Sequence, residues 1–305
     1  MRIIYFGTPD FAVKPLERLL ADGENIVAVV TSHDKKVGRK QILTPSPVKA
    51  FALDKGIKVL EYTSVRKEGV EDLKALDADL FITCAFGQIL SEEVLAIPRL
   101  YTLNIHGSLL PKYRGAAPIQ AAVLAGERET GITIMKTVLA MDAGDIMFAK
   151  KIPIGEDETS GELFDKLSEL GAACIAEAVA RVKDGTASFT PQNESLATYV
   201  KKIEKTDGEL DFSLSAAEIK NRVRAFEPWP SAYTFFRGEQ LKIHKVSVAQ
   251  GKGNAGEVID EKKFEIACGD GSVVVEELTK QGSKRMRAED FLRGCKLLRG
   301  EKLGC

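Results

Sequence analysis

The sequence predicts an α/β chain in two parts, a doubly wound, mostly parallel sheet followed by a small C-terminal β-barrel. Three observations carry that expectation. The first half alternates short β-rich runs with amphipathic stretches, the pattern of a parallel sheet covered by helices. The last third is a series of short strand-like runs divided by turn residues. At 305 residues the chain exceeds the usual size of a single core, and its 44% apolar content is enough to fill two.

Taken in order, Ile3–Phe6 reads as the first strand. Gly7-Thr8-Pro9 then reads as a strand-to-helix turn, with Thr8 able to cap, Pro9 at the first helical position and Leu16, Leu19 and Leu20 on one face. Ile26–Val30, Lys58–Tyr62, Leu80–Ala85, Tyr101–Ile105 and Ile132–Val138 are further strands, with helical pieces at Pro47–Asp54 and Gly115–Ala125. Thr159-Ser160-Gly161-Glu162 is a capping-box pattern, and Leu163, Leu167, Leu170 and Cys174 recur at helical spacing, so a long helix is expected over 160–183. A second capping box, Ser215-Ala216-Ala217-Glu218, opens a helix that stops near Pro228-Trp229-Pro230. Beyond it the runs 232–236, 240–248, 256–260, 263–268 and 272–278 are five strands, a number that suits a barrel of the oligonucleotide-binding (OB) type. The polar stretch between the two parts reads as a linker. The expected division is 1–189 for the first domain, 190–212 for the linker and 213–305 for the barrel.

Bulk properties remove several function classes. The apolar runs are far shorter than the roughly 20 residues of a membrane-spanning helix. Arg2–Phe6 enters a strand at once, so no leader is expected, and the chain reads as cytoplasmic. Five scattered cysteines without a C-x-x-C pair, and three distant histidines, predict neither a disulfide framework nor a metal site. Net charge is −1, yet residues 201–305 carry 20 basic against 17 acidic groups, a surplus suited to phosphate. Gly7-Thr8-Pro9-Asp10-Phe11-Ala12 lacks the G-x-G-x-x-G spacing that a nicotinamide dinucleotide requires.

Asn104-Ile105-His106-Gly107-Ser108-Leu109-Leu110-Pro111 is the most informative segment. On a strand, positions two apart share a face, so Asn104 and His106 project together while Leu103 and Ile105 pack behind. They stand at the carboxyl end of a parallel strand, where open α/β sheets bind ligands. Asp142 follows in a turn after another β-rich run. An amide, an imidazole and a carboxylate suit acyl transfer to an amine: the amide donates to the oxyanion, the imidazole donates or moves protons, and the acid orients the imidazole. No serine or cysteine nucleophile is needed, because the substrate amine attacks directly.

Together, the Asn-x-His strand, the Ser-Leu-Leu-Pro loop and the distant Asp resemble the signature of the folate-dependent formyltransferases. Gly7–Ala12, Val37-Gly38-Arg39-Lys40, Pro45–Lys49, Arg114–Gln120, Glu129–Met135 and Arg224–Pro230 extend the likeness over nearly the whole chain, and within the family it is closest to the methionyl-tRNA type. That resemblance implies 10-formyltetrahydrofolate as co-substrate, tetrahydrofolate as product, methionyl-initiator tRNA as acceptor, no metal and a monomeric enzyme. It implies that Asn104, His106 and Asp142 are catalytic, that Ser108, Leu109, Leu110 and Pro111 line the folate site, and that Phe86, Gly87 and Ile89 form the turn beside the pterin. It further implies tRNA contacts from Arg39 and Lys40 in an exposed, mobile loop over 32–45, and from Lys202 and Lys205. A sugar-nucleotide formyltransferase and a folate hydrolase are the nearest alternatives, and a nonenzymatic nucleic-acid binder is the alternative from another class.

Overall fold

A computed structural model describes residues 1–38 and 40–304, and the chain divides into two units. The first comprises Met1–Pro118, Glu129–Ile152 and Phe164–Val200; the second comprises Ile119–Arg128, Pro153–Leu163 and Lys201 onward.

In the first unit the strands are β1 (Arg2–Gly7), β2 (Asn25–Thr31), β3 (Lys35–Val37), β4 (Ile42–Thr44), β5 (Val59–Glu61), β6 (Leu80–Cys84), β7 (Tyr101–His106), β8 (Arg114–Gly115), β9 (Glu129–Lys136), β10 (Ile146–Pro153) and β11 (Tyr199–Val200). Seven of them form one sheet in the order β10-β9-β7-β6-β1-β2-β5. From β7 to β5 every neighbour is parallel, and β9 joins β7 antiparallel. The sheet is therefore mostly parallel, as the alternating pattern predicted. β1 beyond Arg2 and all of β6 are buried on both faces, which explains their nearly continuous apolar sequence, interrupted in β6 by Thr83. Ile4, Phe6 and Phe81 pack with Tyr62, Leu73, Phe86 and Val94 into one apolar cluster.

Three local expectations change. Thr8 does not cap a helix: its hydroxyl donates to the Phe86 carbonyl (3.2 Å), and Asp10–Ala12 make a short 3-10 turn before the helix Val13–Ala21. The helix expected over 115–125 is shorter, Pro118–Leu124, because Gly115 is held extended in β8 against β11. The segment 32–45 contains a hairpin, in which Lys35 to Val37 pair with Thr44 to Ile42 around a turn containing Gly38. Its short β-favouring runs pair locally although every described side chain in them is exposed.

The helix Ser160–Lys183 forms as expected, and its capping box closes: Glu162 N–H donates to Thr159 Oγ1 (3.2 Å) and the Glu162 carboxylate accepts from Thr159 N–H (2.9 Å).

In the second unit, the Ser215–Glu218 capping box starts the helix Ala216–Ala225. The strands are β12 (Ala232–Phe236), β13 (Glu239–Ala249), β14 (Val258–Asp260), β15 (Glu265–Ala267), β16 (Ser272–Lys280) and β17 (Met286–Arg287). They form an antiparallel sheet in the order β12-β13-β16-β15-β14, with β17 on β16, the strand complement of a small barrel. Its core gathers Phe236, Leu241, Ile243, Phe264, Val273, Val275 and Leu278 with Ile219 and Val223 of the helix. Among the described residues no helix is long and apolar enough to cross a membrane.

Candidate active site

β7 sets the geometry. Leu103 and Ile105 are buried in the sheet, while Asn104 and His106 share the opposite face at the strand's carboxyl end. His106 is almost fully covered, and its Nε2 lies 3.0 Å from the Tyr113 carbonyl, to which it donates. Its Nδ1 lies 3.6 Å from Asp142 Oδ1, beyond hydrogen-bond length but within ion-pair range. The second carboxylate oxygen of Asp142 accepts from the Gly115 backbone N–H at 2.8 Å. The sequence assigned the ring's orientation to Asp142; the structure places the acid at Nδ1 and adds the Tyr113 carbonyl as a second partner at Nε2.

Asn104 is anchored by its oxygen. Thr83 Oγ1 donates to Asn104 Oδ1 at 2.8 Å, so the amide nitrogen keeps no protein partner among the described residues. The arrangement thus presents one free amide donor and one imidazole flanked by two acceptors.

The loop after β7 is tied internally. Ser108 is fully buried, its hydroxyl donates to the Lys112 carbonyl (2.7 Å), and Thr133 Oγ1 links the Ser108 carbonyl (2.7 Å) to the Leu110 N–H (3.1 Å). Leu110 is buried, and Leu109 and Pro111 are half-buried. Phe86 packs edge-on against Phe6 in the core, whereas Gly87 and Ile89 stay exposed. Val138, Leu139 and Met141, immediately before Asp142, are also uncovered, so apolar surface borders the polar groups.

Lys40 is exposed in the first unit, and Lys202 and Lys205 are exposed in the second. Arg39 lies outside the described residues. Among the described residues no group of three His, Cys, Asp or Glu side chains is arranged to hold a metal ion.

The sequence reading overlooked three side chains that hold the site. Thr83 fixes Asn104. Arg114, fully buried, donates to Gln192 Oε1 (2.8 and 3.2 Å), to both Glu194 carboxylate oxygens (2.7 and 2.9 Å) and to the Tyr199 hydroxyl (3.0 Å). Gln192 in turn donates to the carbonyls of Asp142 (2.8 Å) and Gly144 (2.7 Å). Only the fold reveals the burial of Arg114, which marks it as paired, since Arg is rarely covered otherwise.

Residues 1–179 match the formyl transferase family, and residues 202–296 match the formyl transferase C-terminal domain. The chain belongs to the formyl transferase family. Its relatives include proteins named methionyl-tRNA formyltransferase from Geobacter metallireducens, 46% identical over all of this chain and 99% of the relative, and from Citrifermentans bemidjiense, 43% identical over all of this chain and 96% of the relative. Among solved structures, WlaRD, a sugar 3N-formyl transferase crystallised in the presence of dTDP and 5-N-formyl-THF, superposes with a TM-score of 0.68 at 23% identity, covering 93% of this chain and 99% of that one, and so shares the fold.

Proposed function

We propose that this protein transfers the formyl group of 10-formyltetrahydrofolate to the free amino group of methionyl-initiator tRNA, giving formylmethionyl-tRNA for translation initiation and releasing tetrahydrofolate. The observation that carries this reading is the meeting of Asp142 with His106 beside Asn104, on a chain alike over its whole length to proteins named methionyl-tRNA formyltransferase.

The reaction forms a bond from the methionyl nitrogen to the formyl carbon and breaks the bond from that carbon to N10 of the folate. In between stands a tetrahedral centre whose former carbonyl oxygen carries negative charge. The free Nδ2 donor of Asn104 is suited to that oxygen, because a donor already held in place costs no reorganisation when charge develops. The nucleophilic amine must shed a proton and N10 must gain one as it leaves. His106, between the Tyr113 carbonyl and the Asp142 carboxylate, carries that proton, and the carboxylate steadies the ring while it is protonated on both nitrogens and positively charged.

In this reading Ser108, Leu109, Leu110 and Pro111 line the folate site, Phe86, Gly87 and Ile89 form the turn beside the pterin, and the uncovered apolar side chains of Leu139 and Met141 offer further surface to its flat ring system. In this reading Arg39 and Lys40 engage the acceptor end of the tRNA, and Lys202 and Lys205 with the basic C-terminal domain follow its backbone. The enzyme works as a monomer in the cytoplasm.

The test is transfer of labelled formyl from 10-formyltetrahydrofolate to methionine charged on initiator tRNA, with charged elongator tRNA and a nucleotide-linked amino sugar as competing acceptors. Strong formylation of the initiator alone is expected. Formylation of the sugar alone, or release of formate without an acceptor, would overturn the reading.

A further inference from the structure

We infer that Gln192 is a positioning residue for this reaction, holding the Asp142 carboxylate opposite His106 through the backbone of its loop. The inference rests on the reading of Asp142 given above.

The side-chain amide of Gln192 has two N–H donors and two oxygen lone pairs, and all four are used. Nε2 donates to the carbonyls of Asp142 and Gly144, at 2.8 and 2.7 Å, and Oε1 accepts twice from the Arg114 guanidinium. The direction of the amide is unambiguous, because a guanidinium has only donors and therefore must meet the oxygen end. Arg114 cannot swing away: it is fully buried, it grips Glu194 with two bonds, and it lies over the Tyr199 ring.

The Asp142 loop needs such a hold. Asp142 has a left-handed backbone (φ 51°), and two nearby carbonyls converge on one amide group. Among the described residues the one hydrogen bond to the carboxylate itself comes from the Gly115 N–H. Gln192 reaches the loop because Ile146 and Thr190 exchange a pair of backbone hydrogen bonds, each 2.9 Å, which brings the returning chain beside β10. Arg114 adjoins the two backbone groups that touch the site directly, Tyr113 C=O on His106 and Gly115 N–H on Asp142. One cluster, centred on the buried Arg114, thereby fixes the imidazole from its Nε2 side and the carboxylate from behind.

Gln192→Glu keeps the size and the oxygen toward Arg114 but sets a second oxygen against two carbonyls. Gln192→Met removes the donors with little change in length. For both variants, kcat should fall by about tenfold to a hundredfold while KM for tRNA and for folate stays within about twofold, the pattern of a displaced catalytic group. The decisive measurement is a double-mutant cycle with Asp142→Asn, in which melting temperatures verify folding. If Gln192 acts through Asp142, its substitution adds little further loss once the carboxylate is gone. An equal loss in both backgrounds, or a Gln192→Met protein with wild-type kcat, overturns the inference. Should Asp142→Asn alone be fully active, the catalytic reading of Asp142 fails, and this inference fails with it.

Discussion

Asp142 faces His106 across 3.6 Å with one carboxylate oxygen and holds the Gly115 N–H with the other, so the acid is anchored to the same loop whose Tyr113 carbonyl anchors the imidazole. The two side chains are 36 positions apart in sequence but share one structural support. Their separation is then insensitive to movement of the loop as a whole, which suits a pair whose contact strengthens only when the ring becomes charged.

Asp142→Asn keeps an acceptor for Gly115 N–H and preserves the shape while removing the charge. Turnover should drop by at least about two orders of magnitude, since the ring loses its counter-charge at the moment it carries the proton. Steady-state kinetics with saturating tRNA and folate measure this, and affinity for tRNA should be unchanged. A variant with full kcat would remove Asp142 from the mechanism.

Gly115 is required for the geometry itself. A methyl group there would lie 2.2 Å from the Val200 carbonyl oxygen, and φ of +121° is strained for any other residue. Gly115→Ala should therefore cost about 2 kcal/mol or more of stability, read from chemical denaturation, and should also lower kcat because the N–H that holds Asp142 moves. Unchanged stability would mean that β8 and β11 separate without penalty.

Legibility from sequence followed the range of the interactions. Strand periodicity and capping boxes are local, so the parallel sheet, the helix over 160–183 and the antiparallel C-terminal strands were readable. Asn104 and His106 were readable because their spacing alone puts them on one face. Gln192 was not, because its polar neighbours look like any solvated connector and its role depends on contacts 50 residues back, at Asp142, and 78 residues back, at Arg114. Thr83 was hidden for the opposite reason. Inside an apolar strand, a threonine is an ordinary β-former, and only the register Thr83↔Asn104 between β6 and β7 reveals its partner.

The N-terminus supplies a pH-dependent contribution. The Arg2 backbone N–H (2.7 Å) and then the Arg99 guanidinium (2.8 Å) hold the Asp79 carboxyl below its usual range. A depressed folded pKa gives stability that is present above the unfolded value, about 3.9, and is lost as pH falls through the lower folded value. Asp79→Asn should accordingly lower the melting temperature at pH 7, and the gap to wild type should narrow as the pH is taken below 4. Melting curves over that range would sink the assignment if the gap were independent of pH.

Thr83 provides the sharpest test of the oxyanion donor. Its hydroxyl donates to Asn104 Oδ1 at 2.8 Å and also lies near the Leu103 carbonyl (3.2 Å) and Thr137 Oγ1 (3.5 Å). Occupying the amide oxygen leaves Nδ2 as the end that meets the substrate. Thr83→Val preserves shape inside a buried strand but frees the amide to rotate, so its acceptor end can face the developing negative charge. One neutral hydrogen bond is worth about 1 kcal/mol net, so kcat should fall by about fivefold. Asn104→Ala removes the donor outright, and the fall there should be about a hundredfold to a thousandfold. If Thr83 acts by orienting Asn104, Thr83→Val has no effect on kcat in the Asn104→Ala protein. Persistence of the fivefold loss in that background would show that Thr83 serves the sheet rather than the amide.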